Sequence, residues 1–529
     1  MISGVSVMLA QAAAAQALPA SPNGETFSLS GTVVNSVTGA PVVRALVRTM
    51  GTQQRNAFSD GDGHFQIDGM LAGRVMLMAQ KPGYVTEQSA FGSAPRWIEI
   101  GANTGPLVLK LVPQSAIFGR ITDASGQPIE YMPLRLTARS VREGRKVWEQ
   151  RGMAESDEDG YFRFANLMPG TYYVAAGPMV SRNELLPSGE QPKTGFPHVY
   201  YPGAPELASA SPLQLGAGQQ MEADFSLSAV PVYEVSGRVA GHLPDQGVGI
   251  QVLTSSGDEI SLPIHFNLET GTFKLEGAPA GSYILRARSG AGSQPLRGEA
   301  RVNVTGNVDD LQLAMAPTIS IPVQVRLEAR NPSDAGASAA SRPFPLTVRL
   351  WPLDPNTAES FASFDRSSGR PVMVFRNVDP GKYTALLTPQ PPWYVQSASY
   401  GPTNLLTDDL SIAGGQSYPI EVVLRNDGAG LSGTVRSGDA GPSPAMVVVV
   451  PQAAGKLNPR VIRSTDGNFS ISGLAPGDYL VFAFDQLGNL EYTNPDALEP
   501  YASAAAHVSL SANQNALVSL DLVHLEKGD

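Results

Sequence analysis

The 529-residue chain contains no cysteine. That excludes disulfides, thiolate metal sites and cysteine nucleophiles together, but it leaves the compartment open, because many exported proteins also lack the residue. Charge is sparse: Asp, Glu, Lys and Arg make up 16 %, and the net charge is -11 with no basic cluster of the kind that tracks phosphates. Nucleic acid and anionic membrane surfaces are therefore not expected as partners. The six histidines, at positions 64, 198, 242, 265, 507 and 524, never fall at H-E-x-x-H or H-x-x-E spacing, so zinc chemistry has no support; His242 and Asp245 form only a lone H-x-x-D. G-x-S-x-G elbows, phosphate-cradling loops and dinucleotide fingerprints are absent from the sequence. Beyond the first twenty residues no apolar run reaches the ~18 residues of a spanning helix, and helical periodicity is nearly missing altogether.

Glycine and proline, by contrast, are abundant at 54 and 43 positions, so turns must be frequent. Apolar residues at 42 % supply enough burial to offset the entropy of ordering, which excludes a disordered chain. The length exceeds what one core can serve, and several domains are expected.

Those turns recur in a frame. The stretches DGHFQIDGMLAGRV from Asp62, DGYFRFANLMPGTY from Asp159, TGTFKLEGAPAGSY from Thr270, PVMVFRNVDPGKY from Pro371 and DGNFSISGLAPGDY from Asp466 share one pattern. In each, an apolar residue (Phe65, Phe162, Phe273, Met373, Phe469) lies eight positions before a glycine (Gly73, Gly170, Gly281, Gly381, Gly477). The glycines are spaced by 97, 111, 100 and 96 residues, the size of a small domain rather than of a solenoid repeat. An opening strand precedes four of the frames, as SGTVV from Ser30, FGRIT from Phe118, VSGRVA from Val235 and LSGTV from Leu431; the fourth copy lacks it in recognisable form. Every copy closes on another alternating run, such as LVLKL from Leu107 or ALVSLDLV from Ala516.

Alternation with period two, broken by turn residues, predicts short half-buried antiparallel strands, and two packed layers are the natural way to bury one face of each. The expected fold is therefore all-β, with about five tandem Greek-key or transthyretin-like (Ig-like) β-sandwiches: 21–113, 114–230, 231–316, 317–427 and 428–529. Two regions depart from the frame. Residues 178–222 insert a Pro- and Tyr-bearing excursion into the second copy, and residues 331–344 read as a flexible small-residue loop in the degenerate fourth.

Residues 1–20, MISGVSVMLAQAAAAQALPA, form a weak apolar run with an A-x-A pattern at Ala15, Gln16 and Ala17, which reads as an export leader. The segment carries no Lys or Arg, the first basic residue being Arg44. A start placed too late in the gene would account for that, and a plain Ala-rich tail is the alternative.

The combination G-x-V, then G-x-P-[VI], then DG-x-F-x-[IF]-x-[GN]-L-x-P-G-x-Y resembles the carboxypeptidase regulatory-like domain, a member of the transthyretin-like β-sandwiches, and more loosely the collagen-adhesin B-type repeats. The resemblance covers nearly all of the chain after the leader and is strongest in the second and fifth copies. It implies a fold more than an activity: the zinc peptidase domain that accompanies the module in metallocarboxypeptidases has no room here, nor has it ligands. The opening strands contain no lysine, so the Lys–Asn isopeptide bond of the adhesin relatives is not expected.

The acidic stretch SDGDGHFQIDG from Ser59 invites a calcium reading that fails on position. With Gly63 placed sixth in an EF-hand loop, Phe58 stands first, and with Gly467 placed sixth Ile462 does. In the second copy Glu155, Asp157 and Asp159 are correctly spaced before Gly160, but Asn166 stands where the bidentate Glu belongs. A turn is the better reading, because Asp-Gly supplies the positive φ of a tight hairpin. No metal and no cofactor are expected.

What remains for function is surface. Loop aromatics of a sandwich can stack on sugar rings, and the candidates are Trp148, Tyr200, Tyr201, Trp393 and Tyr394; the alternative for each is packing on its own domain. The sequence thus reads as a non-enzymatic, exported, monomeric binding or spacer protein of the periplasm, outer surface or medium, its partner a polysaccharide or an envelope protein. A carbohydrate-binding protein using those aromatics is the second reading. An enzyme with a site assembled across loops is the third, and nothing in the motifs supports it.

Overall fold

A computed structural model describes residues 26–525 except residue 52 and residues 92–96, 181–192, 244–246, 290–294, 330–344, 355–356, 366–371, 414–416, 439–440, 453–455 and 457. The leader and the small-residue stretch 331–344 lie outside the described residues. The protein is all-β, with 63 % of residues in strands and 4 % in helices, and it packs as two units, one around Gly39–Lys81 and Trp97–Lys110, the other around Leu111–Asp529.

In the first unit the strand Thr26–Asn35 pairs antiparallel with the frame strand His64–Leu71. A second sheet runs in the order Asn56–Phe58, Leu46–Met50, Gly73–Gln80, Trp97–Ile100. Alternation places Leu29, Val33, Val47, Phe65, Ile67, Val75 and Ile98 inside.

The second unit contains four successive apolar clusters, within residues 117–227, 235–313, 321–424 and 429–520. Each is enclosed by strands with the same connectivity. The opening strands Ser115–Asp123, Val230–Ala240, Ile319–Glu328 and Ala429–Arg436 pair antiparallel with the frame strands Tyr161–Leu167, Thr272–Pro279, Val372–Val378 and Asn468–Leu474. On its other edge each opening strand meets the closing strand of its own copy, and that pairing is parallel. Antiparallel alternation alone does not anticipate this. It arises because the chain crosses to the facing sheet between first and last strands and returns in the direction it set out.

Register explains a residue type in the frame. Gly31, Gly119, Gly237 and Gly433 of the opening strands sit opposite Phe65, Phe162, Phe273 and Phe469. A Cβ on Gly433 would lie 2.0 Å from the Val518 carbonyl oxygen and 2.9 Å from the Phe469 ring, and a Cβ on Gly237 would lie 2.1 Å from the Leu311 oxygen and 2.9 Å from Phe273. The phenyl ring thus occupies the space a side chain would have taken, and the closing strand comes close beside it. In the fourth copy both partners differ together: Val323 stands opposite Met373. The opening strand missing from the sequence pattern is therefore present as Ile319–Glu328 with the glycine replaced, which is why it has no visible signature.

The described part of the excursion 178–222 carries five short strands, Met179–Val180, Thr194–Phe196, Val199–Tyr200, Leu213–Leu215 and Gln220–Glu222, joined by turns and irregular segments. Val199–Tyr200 and Leu213–Leu215 extend the second copy's sheet along Gly170–Ala176. Thr194–Phe196 joins instead the opening strand of the third copy, with Thr194 opposite Pro231 and Gly195 opposite Val230, so the excursion staples the second sandwich to the third.

Candidate binding surface

The acidic turns spend their carboxylates on backbone. Asp60 Oδ1 accepts from the amides of Asp62 and His64 at 3.0 and 2.8 Å, and Asp157 Oδ1 accepts from Asp159 and Tyr161 at 3.1 and 2.7 Å. Gly63 follows with φ 76°, and a Cβ there would lie 2.6 Å from the Val33 oxygen, so both conformation and space demand glycine. SDGDG is a turn with its acceptor occupied. Among the described residues, no three of His, Cys, Asp and Glu are grouped so as to hold a metal ion.

The five aromatic candidates fall in different environments. Tyr200 is 3 % exposed and Tyr394 is 4 % exposed, which leaves neither ring a face for a sugar. Tyr394 donates to Asp427 Oδ1 at 3.1 Å, and Arg425 lies over its ring. Tyr201 packs edge-on against Phe225, and Trp393 packs on the fourth core. Trp148, half-buried on the strand Arg145–Glu155, meets Tyr173 edge-on at 5.2 Å and carries the Lys146 ammonium 5.3 Å above its ring. These side chains do not form a single aromatic platform.

What the structure does assemble is a junction centred on the second copy's long hairpin, Pro133–Arg142 with Arg145–Glu155. Its tip reaches the fourth sandwich, where Glu143 takes two hydrogen bonds from Arg349, at 3.0 and 2.5 Å, and Arg142 lies 4.4 Å over the Trp351 ring. The same tip reaches the fifth sandwich: the Gly144 carbonyl accepts from the Thr493 hydroxyl at 2.6 Å, and Arg139 pairs with Glu491 at 2.7 Å. The Arg349 guanidinium holds the Glu143 carboxyl below the usual carboxylate range, while burial lowers Arg145. Tyr492 packs where a Gly144 side chain would point, 2.5 Å from the Cβ position. The third and fourth sandwiches are latched separately, through Asp379 to Arg288 and Arg297 and through Arg286 to Asp354.

Beside this junction runs an open groove between the second and fifth sandwiches, in two adjacent openings of about 910 and 490 Å³ that share Arg139, Asn489 and Leu525 in their linings. One wall is the hairpin and the turn Asn166–Gly170; the other is the segment Gln486–Tyr501, which carries the short helices Pro495–Leu498 and Glu499–Ala504. Sequence reasoning missed it, because the groove is made by two insertions into otherwise regular frames that are more than three hundred residues apart. The only signal available was their length.

A further cluster lies where the excursion meets the third sandwich. His198 Nδ1 donates to the Gly177 carbonyl at 3.1 Å, its Nε2 is buried without a partner among the described residues, and Tyr200 packs edge-on at 5.2 Å. Burial pushes the imidazole pKa down and the Tyr200 phenol up, with Asp258 of the third sandwich facing both.

Comparison with solved structures finds matches of low identity. The Bacillus anthracis TIE protein is 14 % identical over 55 % of this chain and 51 % of its own, with a TM-score of 0.18; this chain thus spans about half of its length. The shaft pilin SpaA from Lactobacillus rhamnosus GG is 11 % identical over 39 % of this chain and 98 % of its own, with a TM-score of 0.20. GBS52, the minor pilin of Streptococcus agalactiae, is 11 % identical over 39 % and 96 %, with a TM-score of 0.21. At these identities and scores the likeness says nothing of activity. None of the curated proteins compared with the chain matches it. One family model does match: residues 28–95 fit the carboxypeptidase regulatory-like domain, the family that the repeated frame resembles.

Proposed function

We propose that this chain is a non-enzymatic, exported binding and spacer protein of five sandwiches, 21–113, 114–230, 231–316, 317–427 and 428–529, of which the last four act as a pre-assembled scaffold. The observation that carries this reading is the hairpin tip Arg142–Arg145, bound at once to Arg349 of the fourth sandwich and Thr493 of the fifth. Ion pairs and a backbone acceptor spent on joining modules are what a scaffold needs, and they fix the spacing of whatever surfaces the modules present. Because the second sandwich contacts the fifth, sandwiches two to five do not form a straight row, and the function is to hold surfaces in a set arrangement rather than to maximise reach. Residues 1–20 would direct export.

Small-angle scattering of the full chain tests the reading, together with Glu143→Ala/Thr493→Val. The scaffold requires that the double variant scatter with a larger radius of gyration than the parent chain. An already extended, variant-insensitive profile would contradict it. Fractionation of cells expressing the gene with its upstream DNA tests export.

A further inference from the structure

The groove between the second and fifth sandwiches combines arginines that are already paired with amides that are not. Its arginines are paired with carboxylates, Arg139 with Glu491 at 2.7 Å, Arg151 with Glu149 at 2.5 Å and Arg142 with Glu359 at 3.5 Å, while Lys146 lies over the Trp148 ring. Asp496 stands outside these pairs, in the first turn of the short helix. The lining amides Asn166, Gln214 and Asn489, in contrast, are exposed and make no side-chain hydrogen bond among the described residues. The half-buried Tyr501 adds an aromatic surface at one end, its ring held edge-on by Phe484 at 5.4 Å.

We infer that this groove binds a neutral polysaccharide in mid-chain, through Asn166, Gln214 and Asn489 with Tyr501 as its stacking surface. A primary amide both donates and accepts, as a sugar hydroxyl does, so three unpartnered amides along one groove match a hydroxyl-lined chain. An acidic ligand would have to compete with the partly buried carboxylates already paired to these arginines, and would meet the Asp496 carboxylate in the same groove. An open groove, unlike a closed cavity, lets a polymer continue past both ends. This site rests on the scaffold reading, because its two walls come from sandwiches that the junction joins. It does not use Trp148, Tyr200, Trp393 or Tyr394.

The test is affinity electrophoresis of the full chain in gels containing dextran, laminarin, arabinoxylan or galactomannan, with alginate and hyaluronate as acidic comparators. Retardation by at least one neutral polymer and by neither acidic one is expected. Asn489→Ala/Gln214→Ala should weaken it about tenfold and Tyr501→Ala at least as much, while Trp148→Ala and Trp393→Ala leave it unchanged. Circular dichroism and scattering profiles identical to the parent would show that the amide variant is folded and its junction closed. Failure of every neutral polymer to retard the parent, retardation by the acidic ones alone, or loss through Trp148→Ala with the amide variant unaffected would overturn the proposal. A rigid scattering profile in those same samples would leave the scaffold reading standing while the groove assignment fell.

Discussion

The Tyr383 hydroxyl donates to the carbonyl of Asp379, four residues earlier across the Pro-Gly turn, at 2.8 Å. Tyr172, Tyr283 and Tyr479 repeat the bond to Met168, Pro279 and Ala475 at 2.8, 2.9 and 2.6 Å, and in the first copy the position is Val75. Each bond closes the loop between frame strand and next strand with a donor that the burial of the ring would otherwise strand. Tyr383→Phe leaves the Asp379 carbonyl short of a partner and should cost about 1 kcal/mol in urea unfolding. The same change at Tyr131, 58 % exposed, should cost nothing measurable.

Burial raises the phenols of Tyr283, Tyr383 and Tyr479 to about 12. An acid whose folded pKa lies above its unfolded value favours the native state below the unfolded value, and that contribution disappears as pH rises through the folded one. Thermal unfolding should therefore show stability falling from about pH 10 towards pH 12, beginning from the unperturbed phenol value. A triple Tyr→Phe variant at these positions should have a flatter alkaline limb.

Gly433 and Phe469 form a coupled pair. Gly433→Ala puts a methyl 2.0 Å from the Val518 carbonyl and 2.9 Å from the phenyl ring, and overpacking of this kind costs ~1–3 kcal/mol. The fourth copy tolerates Val323 opposite Met373, a flexible side chain that can bend away from a Cβ. Phe469→Met should consequently recover part of the loss in Gly433→Ala, with a coupling of at least ~0.5 kcal/mol in a double-mutant cycle. Additive effects would show that ring and glycine do not depend on each other.

The frame was legible because its causes are local. The strand HFQIDGML alternates exposed and buried along the chain, and Gly63 marks its turn, so period and punctuation were enough to read the all-β class. The parallel first-to-last pairing was not legible, since alternation looks the same in either direction, and the fourth opening strand was hidden by Val323. The aromatic candidates were chosen by residue type and loop position, which do not determine exposure: Tyr200 and Tyr394 lie inside. The groove and junction depend on partners such as Arg139 and Glu491, 352 residues apart, for which no periodic signal exists.

The junction should respond to acid and salt. Arg349 depresses the pKa of Glu143, so the pair stabilises the docked tip above the unfolded carboxyl value and loses that effect as pH falls through the lower folded one. Both side chains retain solvent contact, at 46 % exposure for Glu143 and 21 % for Arg349, so salt should weaken the pair as well. Limited proteolysis at the hairpin tip should accelerate below about pH 4, the ordinary range of a carboxyl group, and at high ionic strength. Glu143→Gln should show the faster cleavage already at pH 7, without the acid dependence.

His198 sets a separate, milder acid limit at the staple between the second and third sandwiches. Burial lowers its pKa from the ordinary value of 6.5, so the unfolded chain takes up the proton first, and stability declines as pH falls below that value towards the folded one. The groups facing the ring are Asp258, which favours the charged form, and Arg135, which opposes it; neither reaches the buried Nε2 with a hydrogen bond. A proton on Nε2 would therefore sit buried and unpartnered, and the nearest relief is to detach Thr194–Phe196 from Val230–Ala240 and admit water. The protection factors of the Gly195 and Val232 amides, which remove the intrinsic pH dependence of exchange, should fall between pH 7 and pH 5.5 while those of the fifth core are unchanged. His198→Gln, which keeps a donor towards the Gly177 carbonyl without a titrating ring, should remove that pH dependence; its persistence in the variant would assign the transition to another group.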